Sequence, residues 1–153
     1  MRRKLTAVAA LAATAVTLTA VAAASPVAAK QRVVIQWTAK GFVLIPQTAG
    51  ALKSDSGTAS FCCWSQRFST RDGLKIETTD PELTLAGKRG SLVIRNRMEW
   101  LDVPQGYALF TGTWKVVRGT GDYARLAGGG RVAGIVLPNG DTKWRREGLL
   151  SSR

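Results

Sequence analysis

The chain has 153 residues, a formal net charge of +12 and 45% hydrophobic residues, with two cysteines and no histidine. That length suits one modest core and leaves no room for a second domain. The missing histidine excludes His-based triads and removes the commonest imidazole metal ligand and general base.

The chain opens on a positive n-region, Arg2, Arg3 and Lys4, followed by an uncharged, alanine-rich apolar run over residues 5–24. Ser25-Pro26-Val27-Ala28-Ala29 then supplies a break and small residues at the cleavage positions. Residues 1–29 read as a signal peptide cut after Ala29, so the expected localisation is secreted, with residues 30–153 as one mature domain. The run has the length to span a bilayer, but it is mostly Ala and Thr, which insert weakly, so no membrane span is expected after cleavage. No cysteine marks the cut for lipidation, and Arg2-Arg3 leaves general and twin-arginine export both open.

Removing Arg2, Arg3 and Lys4 lowers the charge from +12 to +9. A basic exported domain has anionic cell-envelope polymers, lipid head groups or acidic polysaccharides as its polyanion partners, rather than nucleic acid. The cations are scattered, as Lys88-Arg89, Arg95, Arg97, Arg118, Arg125, Arg131, Lys143 and Arg145-Arg146. Such dispersion reads first as a solubilising surface.

Strand follows strand through the mature chain. Residues 32–45, rich in Val, Ile and aromatics, are broken by Pro46 and Gly50; residues 58–70 end at the turn Arg71-Asp72-Gly73. Residues 74–79 precede Asp80-Pro81, and residues 83–85 run into a hairpin loop, Gly87-Lys88-Arg89-Gly90. Residues 91–101 and 107–118 alternate with the period of two of a half-buried strand and join across Pro104-Gln105-Gly106. Residues 131–137 and 142–149 flank Pro138-Asn139-Gly140-Asp141, whose Asn-Gly pair is the strongest short hairpin signal. No stretch carries a helical stripe. Many short strands at regular spacing predict an all-β sandwich or barrel.

The alternation also assigns faces. Leu92, Ile94, Asn96, Met98 and Trp100 share one side, against Ser91, Arg95, Arg97 and Glu99; Ala108, Phe110, Gly112, Trp114 and Val116 oppose Tyr107, Leu109, Thr111, Thr113 and Lys115. An apolar face with tryptophans fits a barrel wall whose interior is filled or holds a ligand. Asn96, Met98, Trp100, Phe110 and Trp114 are therefore the candidate ligand-binding residues, with core packing as the competing assignment. An amide on such a face needs hydrogen-bond partners, so Asn96 either orients a ligand or bonds the backbone.

Residues 54–134, above all GTWKVVRGTGDYARLAGGG with the preceding LAGKRGSLVIRN, resemble the secreted bacterial relatives of the allene oxide cyclase barrel, a calycin-like architecture shared with dirigent proteins. The resemblance implies an antiparallel closed β-barrel of about eight strands with a central pocket. It implies further that Gly119-Thr120-Gly121 and Gly128-Gly129-Gly130 shape a crossing turn around Tyr123 and Leu126. The plant relatives act on apolar substrates inside the barrel, cyclising a fatty-acid epoxide or steering radical coupling. Their functional residues do not map position by position onto this chain, so no catalytic residue is carried over.

Other motifs fail on chemistry. Gly119-Thr120-Gly121-Asp122-Tyr123-Ala124 satisfies the dinucleotide pattern G-x-G-x-x-A, but the helix that must hold the pyrophosphate is missing, so no cofactor is expected. Asp72, Asp80, Asp102, Asp122 and Asp141 sit in or beside turns; Glu77 and Glu99 point outward among cations, and Glu82 adjoins Asp80-Pro81. No clustered ligand set predicts a metal. Cys62-Cys63 are strand neighbours that should point to opposite faces, one thiol buried and one near the surface, without an intrachain bridge. Three function classes fit: a secreted, non-catalytic barrel binding a small apolar ligand; a cyclase or isomerase using Asn96 or Tyr107; and an envelope-polyanion binder.

Overall fold

A computed structural model describes residues 29–38 and 41–152, so the expected signal peptide lies outside the described residues except for Ala29. The strands are β1 (Gln31–Thr38), β2 (Gly41–Pro46), β3 (Asp55–Cys62), β4 (Gln66–Arg71), β5 (Leu74–Thr79), β6 (Glu82–Gly87), β7 (Gly90–Asp102), β8 (Ala108–Gly119), β9 (Leu126–Val136) and β10 (Thr142–Ser152). One 3₁₀ turn, η1 (Gly121–Tyr123), separates β8 from β9. Three residues of 3₁₀ helix confirm that the glycine motif opens no dinucleotide-binding helix.

Hydrogen-bonded neighbours run β7-β6-β3-β2-β1-β10-β9-β8, and a β7–β8 pairing closes the ring into an eight-stranded antiparallel barrel. Closure leaves the barrel strands no free edge. At one end lie Gln31, Leu150 and the start of β7; at the other, Trp37 pairs with Trp144, and β7 ends. Among the described residues no helix is long and apolar enough to cross a membrane.

Two expected strands prove to be pairs. The chain reverses between Thr38 and Gly41, splitting residues 32–45 into the β1–β2 hairpin. Residues 58–70 are split into β3 and β4 at Cys63, whose φ of 54° leaves the extended region. The same break explains why β4 leaves the barrel. β5 and β6 follow one path along β7, β5 over Ile76↔Leu101 to Thr79↔Met98 and β6 from Glu82↔Arg95, with Asn96 N donating to Pro81 O (2.9 Å) between them. β6 pairs onward with β3, whereas β5 pairs with β4 to form a side arm whose outer strand is exposed throughout. The predicted hairpins at Gly87–Gly90 and around Asn139-Gly140 both form.

Inward side chains pack in layers of Val33, Ile35, Leu44, Leu83, Leu85, Leu92, Ile94 and Leu150, all at or below 1% exposure, so side chains fill the middle of the barrel. Gly128, Gly129 and Gly130 do not form the crossing turn that the resemblance implied; they lie inside β9. Their strand and β10 use glycine to make room for rings. A Cβ on Gly134 would collide with Phe110, and one on Gly148 would sit 2.6 Å from Trp114 Cζ2 and against the Gly129 carbonyl. Large inward side chains on β8 thus face bare backbone across the wall.

Candidate functional site

All five candidate residues point inward, on β7 and β8. Asn96, Met98, Phe110 and Trp114 are buried and Trp100 is half-buried, so four of them belong to the packed interior. Trp114 Nε1 donates to Arg131 O (3.0 Å), and Trp100 Nε1 donates to Thr79 Oγ1 (2.8 Å). Tyr107 stands apart, exposed in the loop before β8.

At the Trp37 end, β1, β3, β7, β8 and β10 each contribute a ring to one aromatic layer: Trp37, Phe61, Trp100, Phe110 and Trp144. Trp144 touches the other four, with centroids 5.9 Å from Trp37, 5.1 Å from Phe61, 6.1 Å from Trp100 and 4.7 Å from Phe110. Tilted and edge-on geometry dominates, as ring quadrupoles favour. Four of the five rings are only partly buried, Phe110 being the exception, and the layer faces that end of the barrel. A groove of about 250 Å³ reaches Trp100 and Phe110 from the side, between Ile76, Leu101 and Leu109.

Beneath the layer lies the feature that the sequence reading misplaced. Arg146, counted among surface cations, is 1% exposed inside the barrel. It lies between Ile35 of β1 and Val132 of β9 in the register, and its Nε donates to Asn96 Oδ1 across the interior (3.1 Å). Asn96 Nδ2 donates to Pro81 O (3.3 Å), so the amide is used at both ends. Burial pushes the guanidinium down to about 9, which leaves it charged at neutral pH. It forms no ion pair among the described residues, whereas Arg32, Arg67, Arg71, Arg89, Arg95, Arg118 and Arg145 all do. A charge so buried without an anion costs on the order of several kcal/mol.

Among the described residues no buried side-chain nitrogen or oxygen at the opposite end lacks a partner. Asp55 accepts from Tyr123 Oη (2.7 Å) and from the backbone N–H groups of Ser56 (2.8 Å), Lys88 (3.1 Å) and Arg89 (3.1 Å), tying η1 and the β6–β7 turn to β3. Burial pushes its carboxyl up, but these bonds, Tyr123 foremost, outweigh burial and hold it below the ordinary value. The same burial and the Asp55 carboxylate push the Tyr123 phenol up. A cleft of about 520 Å³ opens there beside Gln31, Leu52, Leu126 and Leu150. Gln31 is engaged at both ends of its amide, its Oε1 accepting from Leu52 N (2.7 Å) and its Nε2 donating to Thr48 O (3.1 Å).

Cys62 and Cys63 are both exposed and free, not one buried and one near the surface. The positive φ at Cys63 breaks the alternation and brings both sulfurs and a Glu82 carboxylate oxygen within 4.8 Å of one another. Glu82 is already held by Arg95 and Arg118, which keep its carboxyl below the usual range. Its oxygens are engaged as an ion pair.

Sequence reasoning missed Trp37, Phe61, Trp144 and Arg146. Parity on β10 carried the signal for two of them, because Trp144, Arg146 and Gly148 share the inward side with Leu150, opposite Arg145, Glu147 and the exposed Leu149. Adjacent arginines on a strand must point to opposite faces. Comparison with protein-family models, with curated proteins and with solved structures finds no match for this chain.

Proposed function

We propose that this is a secreted barrel of the allene-oxide-cyclase-like kind that binds a small apolar ligand without transforming it, and that the ligand is taken up at the aromatic end. The observation that carries this reading is the aromatic layer. Five rings from five strands converge on one end of the barrel, most of them only partly buried, above an interior that is mainly aliphatic apart from Trp114, Tyr123 and the Arg146–Asn96 pair. Small-molecule sites are lined predominantly by hydrophobic and aromatic side chains. Catalysis has less support, because Asn96 is committed at both ends of its amide and Tyr107 lies in an exposed loop.

Uptake of the neutral fluorophore N-phenyl-1-naphthylamine tests the reading. The secreted protein should enhance its fluorescence saturably, and Trp100→Ala or Phe61→Ala should weaken binding by about tenfold, as expected for removing a ring that stacks on the ligand. Absence of uptake, or uptake unaffected by either substitution, would argue against a ligand at this end. Intact mass of the exported product checks the leader, with Lys30 as the expected first residue.

One observation favours the polyanion reading as a second. Arg97, Lys115 and Arg131 point outward on the adjacent strands β7, β8 and β9 and have no ion-pair partner among the described residues. Retention on purified cell wall that falls with salt, and falls further in a triple Ala variant of these three, would support it.

A further inference from the structure

Arg146 is a buried cation without an anion among the described residues. Its Nη2 is buried with no hydrogen-bond partner, and two residues away on the same face of β10 Trp144 Nε1 is also buried with none. The guanidinium carbon lies 5.1 Å from the centroid of the Trp144 ring, so the two groups occupy one corner of the interior. Guanidinium and indole N–H groups donate and cannot accept. The ring face attracts the guanidinium, but neither N–H group can accept a hydrogen bond from the other, and what this corner lacks is an acceptor.

Among the described residues nothing nearby on the wall supplies one. The cross-strand neighbours of Arg146 are Ile35 and Val132, both apolar. Asn96 gives its single oxygen to Nε, and its Nδ2, anchored on Pro81 O, keeps that oxygen aimed at the guanidinium. A water molecule accepting from both free donors would leave the charge uncompensated, whereas an anionic oxygen group meets both needs. Two buried nitrogens without a partner, Arg146 Nη2 and Trp144 Nε1, match the two oxygens of a carboxylate. A phosphate or sulfate would leave further oxygens against Ile35 and Val132.

Resting on the reading that the aromatic end takes up a small apolar ligand, we infer that this ligand is a monocarboxylate whose head accepts from Arg146 Nη2 and Trp144 Nε1. Its apolar body lies among Trp37, Phe61, Trp100 and Phe110. Arg146 is then the residue that selects acids over neutral molecules of the same shape, and Asn96 is a positioning residue that acts through Arg146.

The test is isothermal titration of the secreted protein with 3-phenylpropionate and octanoate and with the matched alcohols, 3-phenylpropan-1-ol and octan-1-ol. At least one acid should bind about tenfold or more tightly than its alcohol, as expected for a charge-assisted hydrogen bond inside a protein. In Arg146→Met the acid should lose its advantage over the alcohol. Arg146→Lys keeps the charge without the planar fork and should show an intermediate preference. Should Arg146→Met not fold, Arg146→Lys and Trp144→Phe carry the test, each with a reduced preference for the acid. Equal affinity for acid and alcohol in the wild type, or a preference that survives in these variants, overturns the carboxylate assignment while leaving apolar binding intact. A thermal midpoint raised by sodium bromide and by neither acid assigns the corner to a halide and also overturns it. Failure of the wild type to bind fluorophore, acid or alcohol overturns both readings together.

Discussion

Trp114→Ala asks whether the barrel is packed or hollow, and the surroundings of the indole set the size of the answer. Trp114 is 3% exposed, and its ring rests on Gly148, where a Cβ would lie 2.6 Å from Cζ2. Truncating a buried tryptophan costs about 3 to 5 kcal/mol, the spread reflecting how far neighbours relax into the hole. Here relaxation is blocked on one side, because Gly130 and Gly148 have no side chains to swing inward and their backbone is pinned in the β9–β10 ladder. The substitution also removes the Nε1 donor from Arg131 O, adding about 1 kcal/mol. The expected loss therefore lies at the top of the range, about 5 kcal/mol, a large share of the 5 to 15 kcal/mol typical of such domains. Urea denaturation followed by far-UV circular dichroism measures it, with an unchanged m-value as the sign that the folded state is otherwise intact. A loss below about 2 kcal/mol would mean that the indole borders open space, and the filled interior described above would be wrong.

The other predictions differ in sign and site. Arg146→Met in the absence of ligand should leave stability unchanged or raise it by about 1 kcal/mol, because relief of the unpaired buried charge outweighs the Asn96 oxygen left without its donor; a loss above about 3 kcal/mol in the same denaturation assay, more than one orphaned amide oxygen accounts for, would show that the guanidinium is already compensated. Asp55→Asn should cost about 2 to 4 kcal/mol, since an amide cannot accept all the bonds that converge on the carboxylate. The Asp55 carboxyl is held below its ordinary value, so its contribution is fully present above the unfolded value near 3.8 and is lost as pH falls through the folded value; thermal midpoints from pH 6 to 2 should fall less steeply in Asp55→Asn than in the wild type. Gly148→Ala normally favours a strand, but here the methyl meets the Gly129 carbonyl and the Trp114 ring, so soluble yield and thermal midpoint should both drop sharply. Thiol titration of the native, reduced protein should count two accessible groups, Cys62 and Cys63, and a single reactive thiol would contradict the break at Cys63.

Local chemistry made the all-β class, the hairpins at Gly87–Gly90 and Asn139-Gly140 and the faces of β7 and β8 legible in the sequence. Alternation depends only on the two-residue period of a strand, and Asn-Gly turns depend on two residues, so neither needs the rest of the chain. That is why Asn96, Met98, Trp100, Phe110 and Trp114 could be placed on one inner face before any fold was known. Interruptions were harder to read. A positive φ at Cys63 has no compositional mark, and without it residues 58–70 look like one strand and Cys62-Cys63 like opposite-facing neighbours.

Only the closed barrel decided which inward groups meet. Trp37, Phe61, Trp100, Phe110 and Trp144 come from five strands spread over more than a hundred residues of chain, and their convergence follows from the ring order and the register of each pair. Arg146 shows the limit most clearly. Parity on β10 puts it on the inner side, yet charge and the neighbouring Arg145 suggest a surface residue, and nothing local says whether a carboxylate waits across the barrel. The register brings Asn96 there instead of an acid, leaving a charged donor with one neutral partner. Side-chain direction is a property of the strand, but compensation of a buried charge is a property of the whole barrel, because the partner must come from another strand.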